Sequence, residues 1–282
     1  MRITDIRTRV LEWTGPVAPV PPRFCTTAAD GFDRPEESAT AAGGVRDFGF
    51  LGWLVVEVET DAGVVGLGNA AQAPHLAKAA IDRHLRPLLI GARADDITRA
   101  WERMYRQTLP FGRKGVVMAA ISAIDLALWD ALGKAVGKPV FRLLGGRTRK
   151  RIDVYASRLY ARPLDALAAE AERYRAEGFR AMKLRFGWGP RDGAEGMRRN
   201  LALVAAVREA AGEDIDVMAD CFMGWTLEYA RRMLPRLAPY NLRWLEEPLP
   251  ADEIAGYAEL RAMNLVPIAG GEHESQVRQL IA

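Results

Sequence analysis

Apolar and polar residues alternate along the N-terminal stretch MRITDIRTRVLEW with a period of two, which predicts a β-strand over residues 3–13. Two more alternating runs flank Asp61-Ala62-Gly63 in GWLVVEVETDAGVVGLG and predict a hairpin. Between these strands lies a Pro-, Gly- and Ala-rich stretch, from GPVAPVPPRF to TAAGGVRDF. It runs for ~30 residues without periodicity, the form of a lid or binding loop. From residue 75 to residue 137 the period becomes helical. It is clearest in GVVMAAISAIDLALWDALGKAVGKP, which Gly137 and Pro139 terminate. Residues 1–150 therefore read as an α+β domain, a small antiparallel sheet followed by helices.

Beyond residue 150 short apolar runs alternate with helical stretches. RIDVYAS precedes a helix over residues 164–177, and RAMKLRF one over 195–211. DIDVMAD precedes 226–237, NLRWLEE precedes 252–263, and NLVPIAGGE leads to a helix start at Ser275. Such alternation predicts βαβ units on a parallel sheet. Five units in a row favour a barrel over an open sheet, yet a whole barrel takes roughly 250 residues. Residues 151–282 are expected to supply about half of one, with an exposed strand edge and apolar surface that favour poor folding or association.

Composition narrows the classes. The chain has 282 residues, 49% of them apolar, and a net charge of +3. Its arginines are scattered among acids, so no nucleic-acid footprint is present. Cys25 and Cys221 form neither a metal spacing nor a disulfide framework, which favours a reducing compartment. The N-terminus lacks the apolar core of a signal peptide. No later stretch is expected to span a membrane, so a cytoplasmic protein is anticipated.

The chemistry concentrates at the predicted strand ends. Asp220, Glu246 and Glu272 are spaced evenly, 26 residues apart in each interval. Equal register on three successive strands would bring three carboxylates to one rim, where they repel unless a cation or a proton intervenes. A divalent cation resolves the conflict, and hard oxygen ligands suit Mg²⁺. Taken singly, each acid could equally be a helix cap or a solvated loop residue. In WLEEP, Glu246 is expected to face the metal. Glu247 is expected to face away, pairing with Lys183 or Arg185 in a supporting shell, and Pro248 ends the strand. Lys183 and Arg185 share one face of their strand, opposite Met182 and Leu184. They would hold an anion beside the metal, the alternative being a solvated edge. Arg185 cannot act as a base and suits a carboxylate or a developing enolate oxygen. His273, after Glu272, could move a proton near the metal or simply be hydrogen-bonded at a loop start.

With these residues in view, the chain resembles the enolase superfamily, in its mandelate racemase-like subgroup, and among these the acid-sugar dehydratases of the rhamnonate dehydratase kind. The resemblance covers essentially the whole chain. It rests on ISAIDLALWDALGKAVGKPVFRLLGG, KLRFGWGPRDG, ADCFMGW, WLEEP and AGGEHE. It implies an α+β capping domain with a modified TIM-type barrel, incomplete in this chain, and a homo-oligomer. It further implies that Asp220, Glu246 and Glu272 bind Mg²⁺, and that Lys183 and Arg185 stabilise an enediolate. His273 would contact the substrate or leaving group, and Arg46, ahead of Arg23, the substrate from the lid. The implied reaction converts a small-molecule sugar acid, such as L-rhamnonate, to its 2-keto-3-deoxy product. Racemases of the subgroup carry a lysine where this chain has Arg185, which favours dehydration over racemisation or epimerisation. The subgroup's histidine–aspartate base pair would fall beyond residue 282. A fragment, or a catalytically silent relative that keeps fold and metal site, is the alternative.

Overall fold

A computed structural model describes residues 1–15, 25–28 and 52–275. They divide into two compact units, one of residues 1–15, 52–151 and 274–275, the other of residues 25–28 and 152–273.

In the first unit, β1 (Ile3–Glu12), β2 (Gly52–Thr60) and β3 (Val65–Ala70) form an antiparallel sheet in that order. The alternation read from the sequence is its cause: Leu54, Val56 and Val58 are fully buried on one face of β2. The hairpin closes through Gly63, whose φ of 73° suits a residue without a side chain. Helices follow as α1 (Pro74–Ala80), a π-helical turn over Ile81–Leu85, α2 (Arg86–Leu89), α3 (Ile97–Thr108), α4 (Val116–Val136) and α5 (Val140–Leu143). Gly137 ends α4 in the left-handed region, and the Lys138 N–H returns to the Gly133 carbonyl at 2.9 Å.

Helix α4 corrects one expectation. It is long and apolar enough, by length and composition, to cross a membrane, although no such stretch was anticipated. It acts instead as a core helix: Ile121, Ile124, Ala127 and Leu128 are fully buried. Its backbone lies so close to β3 that a Cβ on Gly68 would sit 1.9 Å from the Ala123 carbonyl oxygen, and one on Gly66 1.9 Å from that of Ala127.

In the second unit, five strands pair in parallel and in chain order: β4 (Ala156–Ser157), β5 (Ala181–Arg185), β6 (Asp216–Asp220), β7 (Leu245–Glu246) and β8 (Ile268–Ala269). They alternate with α6 (Leu164–Ala176), α7 (Gly193–Ala211), α8 (Leu227–Leu237) and α9 (Ile254–Ala262). Met182, Leu184, Val217, Ala219 and Leu245 pack with Leu203, Val204, Val207, Met233 and Leu234 in one apolar core. Thr226 caps α8, its hydroxyl accepting from the Tyr229 N–H. The strand expected over RIDVYAS pairs only at Ala156–Ser157, with Ile152 and Val154 exposed. The helix start expected at Ser275 runs outside the described residues.

Residues 25–28 belong to the second unit and not, as the sequence suggested, to the first domain. The Thr26 N–H donates to the Phe186 carbonyl at 2.7 Å and its hydroxyl to the Cys221 carbonyl at 2.6 Å. Residues 274 and 275 conversely fall with the first unit, where Ser275 Oγ accepts from the Gly115 N–H.

The close approach of β3 and α4 has a direct test. Gly68→Ala forces the helix off the sheet and is expected to lower stability by about 3 kcal/mol, read as a fall in the urea midpoint. An unchanged midpoint contradicts the packing described.

Candidate active site at the strand ends

Parallel pairing places Arg185 opposite Asp220 and Asp220 opposite Glu246. The register then slips relative to the sequence spacing. Glu246 is opposite Ala269, so Glu272 lies three residues further on, in the turn after β8. Equal intervals therefore put two of the three acids at matching strand positions and carry the third past the strand.

Asp220 and Glu246 converge on one cation. Lys183 Nζ lies 2.6 Å from Glu246 Oε1 and 3.1 Å from Asp220 Oδ2. Arg185 Nη1 reaches the same Asp220 oxygen at 2.7 Å, and the Phe222 N–H donates to Oδ1 at 2.9 Å. Lys183 is 3% exposed and Asp220 2%. The shared face expected for Lys183 and Arg185 is realised, and it is not a solvated edge. The second Glu246 oxygen accepts from the Trp244 indole N–H at 2.8 Å.

Glu247 does not take Lys183 or Arg185 as its partner. It sits at φ 39°, in the left-handed region, so strand alternation ends at Glu246 and its side chain turns toward β8. There it is 2% exposed and bonded to His273 Nδ1 at 2.8 Å. Glu247, Glu272 and His273 bring their donor atoms within 4.8 Å of one another. Among the described residues this trio has metal-site spacing, while Lys183 bridges Asp220 and Glu246 beside it.

The charges press on one another. Burial, with Glu246 adding to it, pushes the Asp220 carboxyl above its ordinary range despite Arg185 and Lys183. Glu272 is exposed, and partial desolvation, then Glu247 and Asp220, raises its carboxyl too. Burial by itself would depress Lys183, but Asp220 and Glu246 outweigh it and hold the ammonium protonated. The hydrogen bond from Glu247 raises His273 against the opposing effect of burial. Arg185 Nε is buried with no hydrogen-bond partner among the described residues.

Several contributors went unread in the sequence. Trp244 carried a usable signal, standing two residues before Glu246 and so on the same side. Phe222 packs edge-on to His273 with ring centroids 5.6 Å apart, and Arg185 stacks over Tyr160 and Phe222. No periodicity marks those two aromatics. Leu159, Phe222 and Met223, like Glu247, have positive φ at strand ends, a strain that gathers at functional sites. Arg23 and Arg46 lie outside the described residues.

Known proteins share these two domains. Residues 40–145 match the N-terminal domain of the mandelate racemase / muconate lactonizing enzyme family, and residues 166–282 match its enolase C-terminal domain-like partner. L-rhamnonate dehydratase of Saccharopolyspora erythraea is 40% identical over 226 residues, 79% of this chain and 55% of that protein. The crystal structure of L-rhamnonate dehydratase from Gibberella zeae superposes with a TM-score of 0.82 at 33% identity, covering 99% of this chain and 67% of that one. The structure of rhamnonate dehydratase from Gibberella zeae complexed with Mg gives 0.76 at 31% identity, covering 97% and 66%. The chain spans about half the length of the curated relatives it matches. Two matched domains in order along the chain, with solved relatives covering nearly every residue, make this chain a member of the mandelate racemase / muconate lactonizing enzyme family of the enolase superfamily.

Proposed function

We propose that the chain carries the charge-holding part of an active site for Mg²⁺-dependent dehydration of a sugar acid, an aldonate such as L-rhamnonate, to a 2-keto-3-deoxy acid. The observation that carries this reading is Lys183, a buried ammonium held between Asp220 and Glu246. The names of the relatives, L-rhamnonate dehydratase and its Mg complex, support the substrate class and the metal.

The donor set fits a hard divalent cation. Asp220 and Glu272 are both raised by desolvation and by neighbouring acids, the condition that such an ion relieves. Asp220, Glu246 and Glu272 would hold it, with Glu247 kept beside Glu272 by His273. Bound there, Mg²⁺ supplies Lewis-acid stabilisation of charge on the substrate carboxylate.

The chain's own groups divide the remaining work. Lys183 stays protonated and so stabilises negative charge instead of accepting a proton. Arg185 offers its orphaned Nε–H to a substrate oxygen. The C2 proton passes to a general base other than Lys183, Arg185 and His273, and both cations bind the oxygens on which charge develops. His273, raised by Glu247, holds a proton that it can give to the departing C3 hydroxyl, which leaves as water. The resulting enol tautomerises to the 2-keto acid. Arg46 and Arg23 are proposed for substrate hydroxyl or carboxylate contacts.

The reaction is checked by incubating the chain, alone and continued through any coding sequence after codon 282, with Mg²⁺ and a panel of aldonates. Semicarbazide then detects keto acids. Product from a six-carbon deoxy aldonate is expected. No product from either form across the panel overturns the assignment, and α-deuterium exchange without keto product makes the protein a racemase. Calorimetric titration with Mg²⁺ tests the ligands: Glu272→Gln and Asp220→Asn are each expected to weaken binding at least tenfold, and binding within twofold of wild type removes them from the site.

The pKa directions give a third test. Raised carboxyls in the folded chain bind protons more tightly than in the unfolded chain, so these two groups lower stability as pH rises through and above the ordinary carboxylate range. A bound cation cancels that loss. The gain in melting temperature on adding Mg²⁺ is therefore expected to grow as pH rises through that range. A gain that is flat or shrinks with pH contradicts the site.

A further inference from the structure

The second unit holds a closed circuit of four side chains, two of which, Trp244 and Tyr155, have no part in the dehydration described above. The Trp244 indole Nε1–H donates to Glu246 Oε2 at 2.8 Å, and Lys183 Nζ donates to Oε1 at 2.6 Å. The indole meets Tyr155 edge-to-face, with ring centroids 5.8 Å apart and planes at 81°. Tyr155 in turn presents its ring to Lys183 Nζ, 5.7 Å from the centroid. Tyr155 lies just before β4 and Trp244 just before β7, strands that are not neighbours in the sheet.

We propose that Trp244 is a positioning residue for Glu246, acting on the cation through that carboxylate. The proposal rests on Glu246 being a ligand, as read above. A carboxylate offers about four acceptor directions, and its terminal torsion is broad when nothing holds it. Lys183 takes one direction on the first oxygen and Trp244 one on the second, which fixes the carboxylate plane and leaves one free direction on each oxygen for the cation. Tyr155 seats the indole so that its N–H is already aimed before any ion arrives. The spacing W-x-E accomplishes this because residues two apart share a face.

The experiment is a titration of the 282-residue chain with Mn²⁺, followed by the electron paramagnetic resonance signal of the free ion, with the fold checked by circular dichroism. Trp244→Phe keeps the ring and removes the donor. It is expected to weaken Mn²⁺ binding about tenfold, the usual effect of losing a group that orients a metal ligand. In a Glu246→Ala background, where nothing remains to be positioned, Trp244→Phe is expected to shift binding by less than about twofold. Tyr155→Leu, which unseats the indole but keeps its N–H, should repeat the pattern and stands in if Trp244→Phe does not fold. Wild-type affinity in the single variants, or equal losses in both backgrounds, overturns the proposal. Failure of the wild-type chain itself to bind Mn²⁺ overturns the ligand reading, and the proposal with it.

Discussion

The site is organised by one buried ammonium. Lys183 is brought between Asp220 and Glu246 by the parallel register of β5, β6 and β7, and water is excluded from all but 3% of it. Three charged groups from three strands are thereby committed to one arrangement. Removing the ammonium would leave two carboxylates facing each other in a desolvated place, a cost on the order of 3–5 kcal/mol.

That arrangement demands unusual backbone. Four residues with side chains at the strand ends, Leu159, Phe222, Met223 and Glu247, adopt positive φ, each costing about 1–3 kcal/mol. The surrounding hydrogen bonds hold them there: Arg185 N–H to the Leu159 carbonyl, Met223 N–H to the Glu247 carbonyl, and Glu247 N–H to the Ala269 carbonyl. The reversal at Glu247 has a chemical result. Two consecutive glutamates, which a continuing strand would have sent to opposite faces, serve neighbouring parts of one rim, Glu246 toward Lys183 and Glu247 toward His273.

The division of labour follows from charge state. A lysine held protonated by two carboxylates and an arginine that never gives up its proton are stabilisers of negative charge, while a histidine raised by a carboxylate is suited to giving a proton away. In the proposed reaction these charge states serve loss of a leaving group.

Much of the architecture was legible in the order of residues. Period-two runs marked β1, β2 and β3, helical periods marked α4 and α6 to α9, and their alternation marked the parallel sheet, because burial of one face is a local requirement that each segment meets in its own pattern. The pairing of Lys183 with Arg185 on one face and the acids at strand ends followed from the same rule. The sequence by itself thus determined which elements form and which charged residues reach the rim. Only the tertiary structure decided how those residues meet: that Glu272 lies past the strand position its spacing suggested, that Glu247 turns to His273, that Trp244 grips Glu246, and that α4 is buried against two glycines of β3. Register, backbone reversals and close approaches are settled by segments far apart in the chain competing for the same space and the same hydrogen bonds, and no local pattern records that competition.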